Sequence, residues 1–142
     1  MRVLIADSNQ LFSEVYQQYL RKYGFLVFTA NDAWTCIAKL RELHPDTLVL
    51  DPNLPCGGHN EILDLIYAEA EVPPIVIALL PIPSTELFQK VSEYPVHEVR
   101  FKPLLPEELC HCIYRHDHLH GALEQRDWIE EIEFEAKTAL VS

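Results

Sequence analysis

A chain of 142 residues with 49% apolar content is one domain's worth, and at this size folding buries roughly 68% of the unfolded chain's surface without needing staples. Its 11 Lys and Arg against 22 Asp and Glu leave a formal charge of −11, which argues against a phosphate-neutralising nucleic-acid surface or an anionic membrane patch. Apolar runs such as 73–83 fall far short of the ~20 residues a spanning helix needs, and the amino terminus lacks a signal-peptide layout, so a cytoplasmic protein is expected, with Cys36, Cys56, Cys110 and Cys112 as thiols.

Strand-like and helix-like segments alternate five times. Val3 to Ala6 is the first predicted strand. Leu11, Val15, Tyr19 and Leu20 then give a helical stripe that Gly24 can stop in the left-handed region. Phe25 to Ala30 is the second strand, and Asn31 is the predicted cap of a helix whose inner face is Cys36, Ile37 and Leu40 and which ends near His44-Pro45. Asp46 to Leu50 is a third, β-branched and leucine-rich strand, closed by Asp51-Pro52-Asn53-Leu54-Pro55. Gly57-Gly58 opens a loop, Ile62, Leu65 and Ile66 mark the third helix, and Pro74 to Leu80 is the fourth and most apolar strand. Ser84 is the expected cap of a fourth helix through Leu87, Phe88 and Val91. Val96 to Phe101 is the fifth strand, and Pro106 suits the first turn of a fifth helix with Leu109, Cys112, Ile113 and His116 inward. Strands that are apolar throughout, rather than alternating, argue for a parallel sheet covered on both faces.

Three of these strands end on charge: Asp7 after the first, Asp51 after the third, Lys102 after the fifth. In an open α/β sheet the carboxyl edge of the strands is where ligands and chemistry collect. Two acids and a lysine there make a candidate phosphoryl or metal site, because phosphoryl transfer asks for positioning and charge neutralisation more than covalent work.

The order (βα)5, with Leu4-Ile5-Ala6-Asp7-Ser8, Leu48-Val49-Leu50-Asp51-Pro52-Asn53-Leu54-Pro55 and Phe101-Lys102-Pro103-Leu104, resembles the receiver domain of two-component response regulators over about residues 1–120. The resemblance implies a flavodoxin-like, doubly wound five-stranded parallel sheet and no enzyme activity. It implies Asp51 as phosphoacceptor, Lys102 as the phosphoryl contact, and Asp7, Asp51 and the Asn53 backbone carbonyl as the oxygen shell of Mg²⁺. Lys102-Pro103 would be cis. The implied partners are a sensor histidine kinase or phosphotransfer protein and a downstream protein, with a homodimer as an option, and no nucleic acid or membrane.

At three positions the chain departs from the family pattern. Ser8 stands where a second acid usually follows the first, so weaker Mg²⁺ binding is expected. Leu79 stands where a hydroxyl usually follows the fourth strand, and Val99 where an aromatic switch residue lies. A phosphorelay acceptor and a degenerate receiver serving as a phosphorylation-independent interaction module are therefore both open; a flavin protein of similar topology has little to cradle a phosphate. Separately, Asp51 and Asp7 are each able to serve as capping acids and Lys102 as a solvated charge.

Cys112, His116 and His120 recur every four residues and are a chemically sensible zinc or copper set, although core packing of the first two with a solvated histidine-rich end accounts for them better. From Gly121 the composition turns acidic, and Trp128, Ile129, Ile132, Ala136 and Leu140 give a helical stripe. Residues 121–142 read as an acidic, helical carboxyl-terminal extension, which with the last helices offers a partner surface.

Overall fold

The computed structural model describes residues 1–56, 59–69, 72–81, 85–93 and 96–117. Five strands and five helices alternate among them: β1 (Arg2–Ala6), α1 (Gln10–Lys22), β2 (Leu26–Ala30), α2 (Ala33–Leu43), β3 (Thr47–Leu50), α3 (His59–Glu69), β4 (Ile75–Leu80), α4 (Thr85–Ser92), β5 (Glu98–Phe101) and α5 (Pro106–Asp117). The strands form one parallel sheet in the order β2-β1-β3-β4-β5. The parallel sheet expected from the apolar runs is present, in the doubly wound order that the resemblance implies. The chain divides into two compact units, Met1–Pro103 with the whole sheet and a second beginning at Leu104.

All four residues Val3 to Ala6 are buried, as are Leu48 to Leu50 and Val76 to Leu80, so both faces of the central strands are covered. Alternation decides which residue goes where. Leu4, Ala6, Leu48, Leu50 and Val76 share one cluster with Ala33, Cys36 and Leu40 of α2 and Ile62, Leu63 and Ile66 of α3. Burial pushes the Cys36 thiol up to about 12, which makes it an inert core group.

Two expectations for the helices need correction. The buried face of α1 is Ser13, Tyr16 and Leu20, whereas Leu11 is 74% and Val15 52% exposed. Of the expected stripe, Leu11 and Val15 point outward, Tyr19 is half-buried, and Leu20 is buried as expected. Ser13 escaped notice because a hydroxyl is not a core signal; here it donates to the Asn9 carbonyl at 3.2 Å and is satisfied within its own helix. The cap of α2 is Asp32, not Asn31: its carboxylate accepts from the Thr35 N–H at 2.7 Å. That bond, with help from the Thr35 side chain, holds the Asp32 carboxyl below its usual range. The Ser84 cap lies outside the described residues, and so do His120 and residues 121–142.

As an edge strand, β2 has outward carbonyls that need partners. Gln17 donates to Val27 O at 2.9 Å, Arg21 adds a longer bond at 3.4 Å, and Lys39 reaches Thr29 O from α2. The outer row of β2 is thus partly covered by side chains rather than left as a template for another strand.

Gly24 ends α1 at φ +87°, its N–H donating to Arg21 O. Nothing lies within 4 Å of where its Cβ would stand, so a side chain there meets backbone strain and no clash. Gly24→Ala should lower stability by about 1 kcal/mol and Gly24→Asn by less, as read from urea unfolding midpoints.

Candidate functional site

Each charged residue is delivered to the carboxyl edge by the strand before it. Asp7 follows β1, and its N–H donates to Ala30 O on one neighbour; Asp51 follows β3, and its N–H donates to Ala6 O; Lys102 follows β5, and its N–H donates to Leu80 O. The ladders therefore run one residue past the strands and pin the three Cα positions. β1 and β3 are adjacent at the point where the strand order reverses, which is where an open α/β sheet leaves a crevice.

Both acids then fix one carboxylate oxygen locally. Asp7 Oδ1 accepts from the Asn9 N–H and Asp51 Oδ1 from the Asn53 N–H, each at 2.8 Å. These are Asx turns two residues long. Their effect is to aim the second oxygen, Oδ2, into the crevice. Lys102 Nζ lies 2.6 Å from Asp7 Oδ2 and 2.8 Å from Asp51 Oδ2. The side chains are 13%, 3% and 5% exposed for Lys102, Asp7 and Asp51 respectively. Burial by itself works to lower the pKa of Lys102, but hydrogen bonds and charge from Asp51 and Asp7 outweigh it and hold the ammonium above its ordinary value.

The loop after Asp51 is anchored at Leu54, which is buried in the α2/α3 cluster, and at Pro55, whose carbonyl accepts from Ala33 N–H. Asn53 between them is exposed. Lys102-Pro103 is cis. On the other side, Asn9 Oδ1 caps α1 by accepting from Leu11 N–H and Phe12 N–H. The Phe12 ring centroid lies 5.7 Å from Lys102 Nζ, a neighbour that the sequence reading missed; its signal was present only as an aromatic in the first turn after the first acid.

Asp7, Asp51 and Lys102 are thus brought together as the strand endings suggested. Ser8 is exposed beside them. Leu79 is fully buried in β4 and Val99 half-buried in β5; neither offers a hydrogen-bonding or aromatic group. For the second cluster, Cys112 is buried and receives a weak bond from Arg115 at 3.8 Å, His116 is half-buried, and His120 lies outside the described residues. Among the described residues no group of three or more His, Cys, Asp or Glu converges as a metal set. Cys110 is held as a thiol, pushed up to about 12 by burial and, less, by Glu107.

Residues 3–114 match the family model of the response regulator receiver domain. The chain belongs to that family. It is 31% identical over 104 residues to a protein-glutamate methylesterase/protein-glutamine glutaminase of Anaeromyxobacter dehalogenans, covering 73% of this chain and 30% of that protein. It is 29% identical over 80 residues to the response regulator RR06 of Streptococcus pneumoniae, covering 56% and 37%. The chain spans about a third of the length of these relatives. Among solved structures, the amino-terminal domain of the Wolinella succinogenes protein WS1339 superposes with a TM-score of 0.77 at 24% identity, covering 84% of this chain and 96% of that one. The Vibrio cholerae chemotaxis protein CheY4 does so with a TM-score of 0.70 at 23% identity, covering 80% and 96%. Such likenesses establish the receiver fold. No helix among the described residues is long and apolar enough to cross a membrane.

Removing the ammonium would leave two buried carboxylates aimed at each other, with nothing to offset their repulsion or their desolvation. Lys102→Met should therefore destabilise the domain by about 3 kcal/mol at neutral pH, with a smaller loss in acid, where a proton can replace the lysine. In the unmodified chain the sign runs the other way at high pH. Lys102 is held above 10.5, so its contribution is complete below that value and disappears as pH rises through the folded-state pKa. Denaturant melts of both proteins across pH test both statements.

Proposed function

We propose that this receiver accepts a phosphoryl group on Asp51 from a histidine kinase or phosphotransfer protein and serves as a signalling acceptor rather than a turnover enzyme. The observation that carries the reading is the Lys102 ammonium held 2.8 Å from Asp51 Oδ2 at the carboxyl edge of the sheet. In the step itself, an Asp51 carboxylate oxygen bonds to phosphorus as the donor's bond to its leaving group breaks, and the leaving group departs with the electron pair. Asp51 is the oxygen of attack, Asn53 N–H orients it, and Lys102 offers a mobile positive charge to the transferred oxygens.

The donor set fits a hard divalent cation, because Asp7, Asp51 and the Asn53 carbonyl are all oxygen ligands. Mg²⁺ bound there supplies charge neutralisation for the incoming phosphoryl group. With two carboxylates rather than three, the affinity is low. Around this edge α1 exposes Leu11, Phe12 and Val15, an apolar strip of the kind that protein partners cover. We assign the receiver body to residues 1–120 and, by composition alone, an acidic extension to 121–142.

The second reading is a receiver that binds its partner without phosphate. It draws on Leu79 and Val99, which leave the phosphoryl group no hydroxyl and no aromatic gate with which to make different contacts in two states. One experiment separates the two. Incubation with a small phosphodonor and Mg²⁺ should add a single phosphoryl mass to the intact chain and none to Asp51→Asn. An unmodified wild-type mass favours the interaction module, and a stable adduct on the asparagine variant sinks the assignment of Asp51.

Ser8→Asp should tighten Mg²⁺ binding by restoring a carboxylate to the shell. A metal titration gives the answer directly, and unchanged affinity would mean that this edge is not where the cation binds.

A further inference from the structure

Among the described residues, Lys102 meets an aromatic ring as well as two carboxylates. Besides the two carboxylate oxygens, the face of the Phe12 ring stands 5.7 Å from its Nζ, within the range at which an ammonium is attracted to the negative face of an aromatic ring. The ring is itself held in place. Its N–H is capped by Asn9, and it stacks at 6.3 Å and 29° on Tyr16 one turn later, which is 1% exposed and so belongs to the core. Phe12 remains 40% exposed, so the ring borders Lys102 without itself being part of the core.

We propose that Phe12 is a positioning residue for the phosphoryl chemistry, its ring holding the Lys102 ammonium over the Asp51 carboxylate. The claim deepens the phosphoacceptor reading and rests on it. A lysine on a flexible four-carbon stem needs something to restrict it if its charge is to act at one place. Two oxygens fix its distance from the acids, and the ring adds a third constraint on the direction of the stem. A rigid ring, anchored through Tyr16, bars the conformers that would swing the ammonium outward and keeps water from competing for it. An aliphatic residue of similar size would cover the same side without the electrostatic attraction. That distinction separates positioning from simple packing. It also gives the site an aromatic partner from α1, although Val99 supplies none from β5.

The test has one structural and one chemical readout. In proton NMR of lysine-labelled protein, the Lys102 ε-methylene protons should be shifted upfield by the ring current of Phe12, with the signal assigned by its loss in Lys102→Arg. Phe12→Leu should return that shift toward the ordinary lysine position, and Phe12→Tyr should keep it. With a small phosphodonor and Mg²⁺, Asp51 phosphorylation should slow by about threefold in Phe12→Leu and stay near wild type in Phe12→Tyr. Thermal melts check that all variants fold, which the exposure of Phe12 favours. Absence of an upfield shift in the wild type overturns the proposal, as does a leucine variant that phosphorylates at the wild-type rate. A wild-type chain that takes no phosphoryl group sinks the phosphoacceptor reading instead, while the ring-current shift and its loss in the leucine variant still decide whether Phe12 places Lys102.

Discussion

Two carboxylates below one-tenth exposure, aimed at the same point, are tolerable only because an ammonium stands between them. Each would otherwise lose its hydration and feel the other's charge in a region of low dielectric. The whole carboxyl edge is arranged around this ion triplet. β1 and β3 must be neighbours for Asp7 and Asp51 to face each other, and the order β2-β1-β3-β4-β5 makes them so. β5 is then two strands from β3, roughly 10 Å away at the usual strand spacing. Only a long side chain bridges that distance across the end of β4. Lysine suits the task because its charge sits at the tip of a flexible stem, whereas a shorter cation would not reach.

The acids are oriented by the chain immediately following them. In both cases a backbone N–H two residues on takes Oδ1 and leaves Oδ2 for the lysine. On the β1 side the turn continues directly into the Asn9 cap of α1, so the same few residues that aim Asp7 also start the helix carrying Phe12. On the β3 side Pro52 and Leu54 are buried and Asn53 is left exposed between them. The loop is therefore anchored on either side of Asn53, and Asn53 itself stands open to solvent. Local turn chemistry, and not helix packing, sets the directions of the two carboxylate oxygens.

This separation explains what was legible from residues alone. Strand endings are marked by a change from apolar to charged residues, and a parallel sheet brings such endings to one edge whatever the helices do, so Asp7, Asp51 and Lys102 could be grouped without knowing any distance. Helix faces are harder. Leu11, Val15 and Tyr19 have the spacing of a core stripe, but α1 turns Ser13 and Tyr16 inward, because a small hydroxyl satisfied by Asn9 O lets the helix sit close to the sheet. Leu63 is as buried as Ile62, which periodicity alone does not distinguish from a flanking position. The choice of Asp32 over Asn31 as a cap is a matter of one residue, and both are good capping types. Phe12 could not be recognised as a neighbour of Lys102, since no spacing rule links the first turn of α1 to the end of β5.

Ser8 changes the electrostatic balance of the site. With a second acid at that position the edge would carry three carboxylates against one ammonium, a net −2; with serine it carries two, a net −1. In the present arrangement Lys102 engages both acids fully, and the resting state is closer to neutral without a metal. A phosphoryl group on Asp51 would replace one carboxylate charge by close to two at neutral pH, a net gain of about one negative charge on a chain that already carries −11. The lysine would then have to divide itself between the phosphoryl oxygens and Asp7, and the shortfall must come from a bound cation or from a partner's positive charge. On the phosphoacceptor reading, serine at this position would make the unmodified site easier to keep and the phosphorylated one more dependent on a cation or a docked partner beside it.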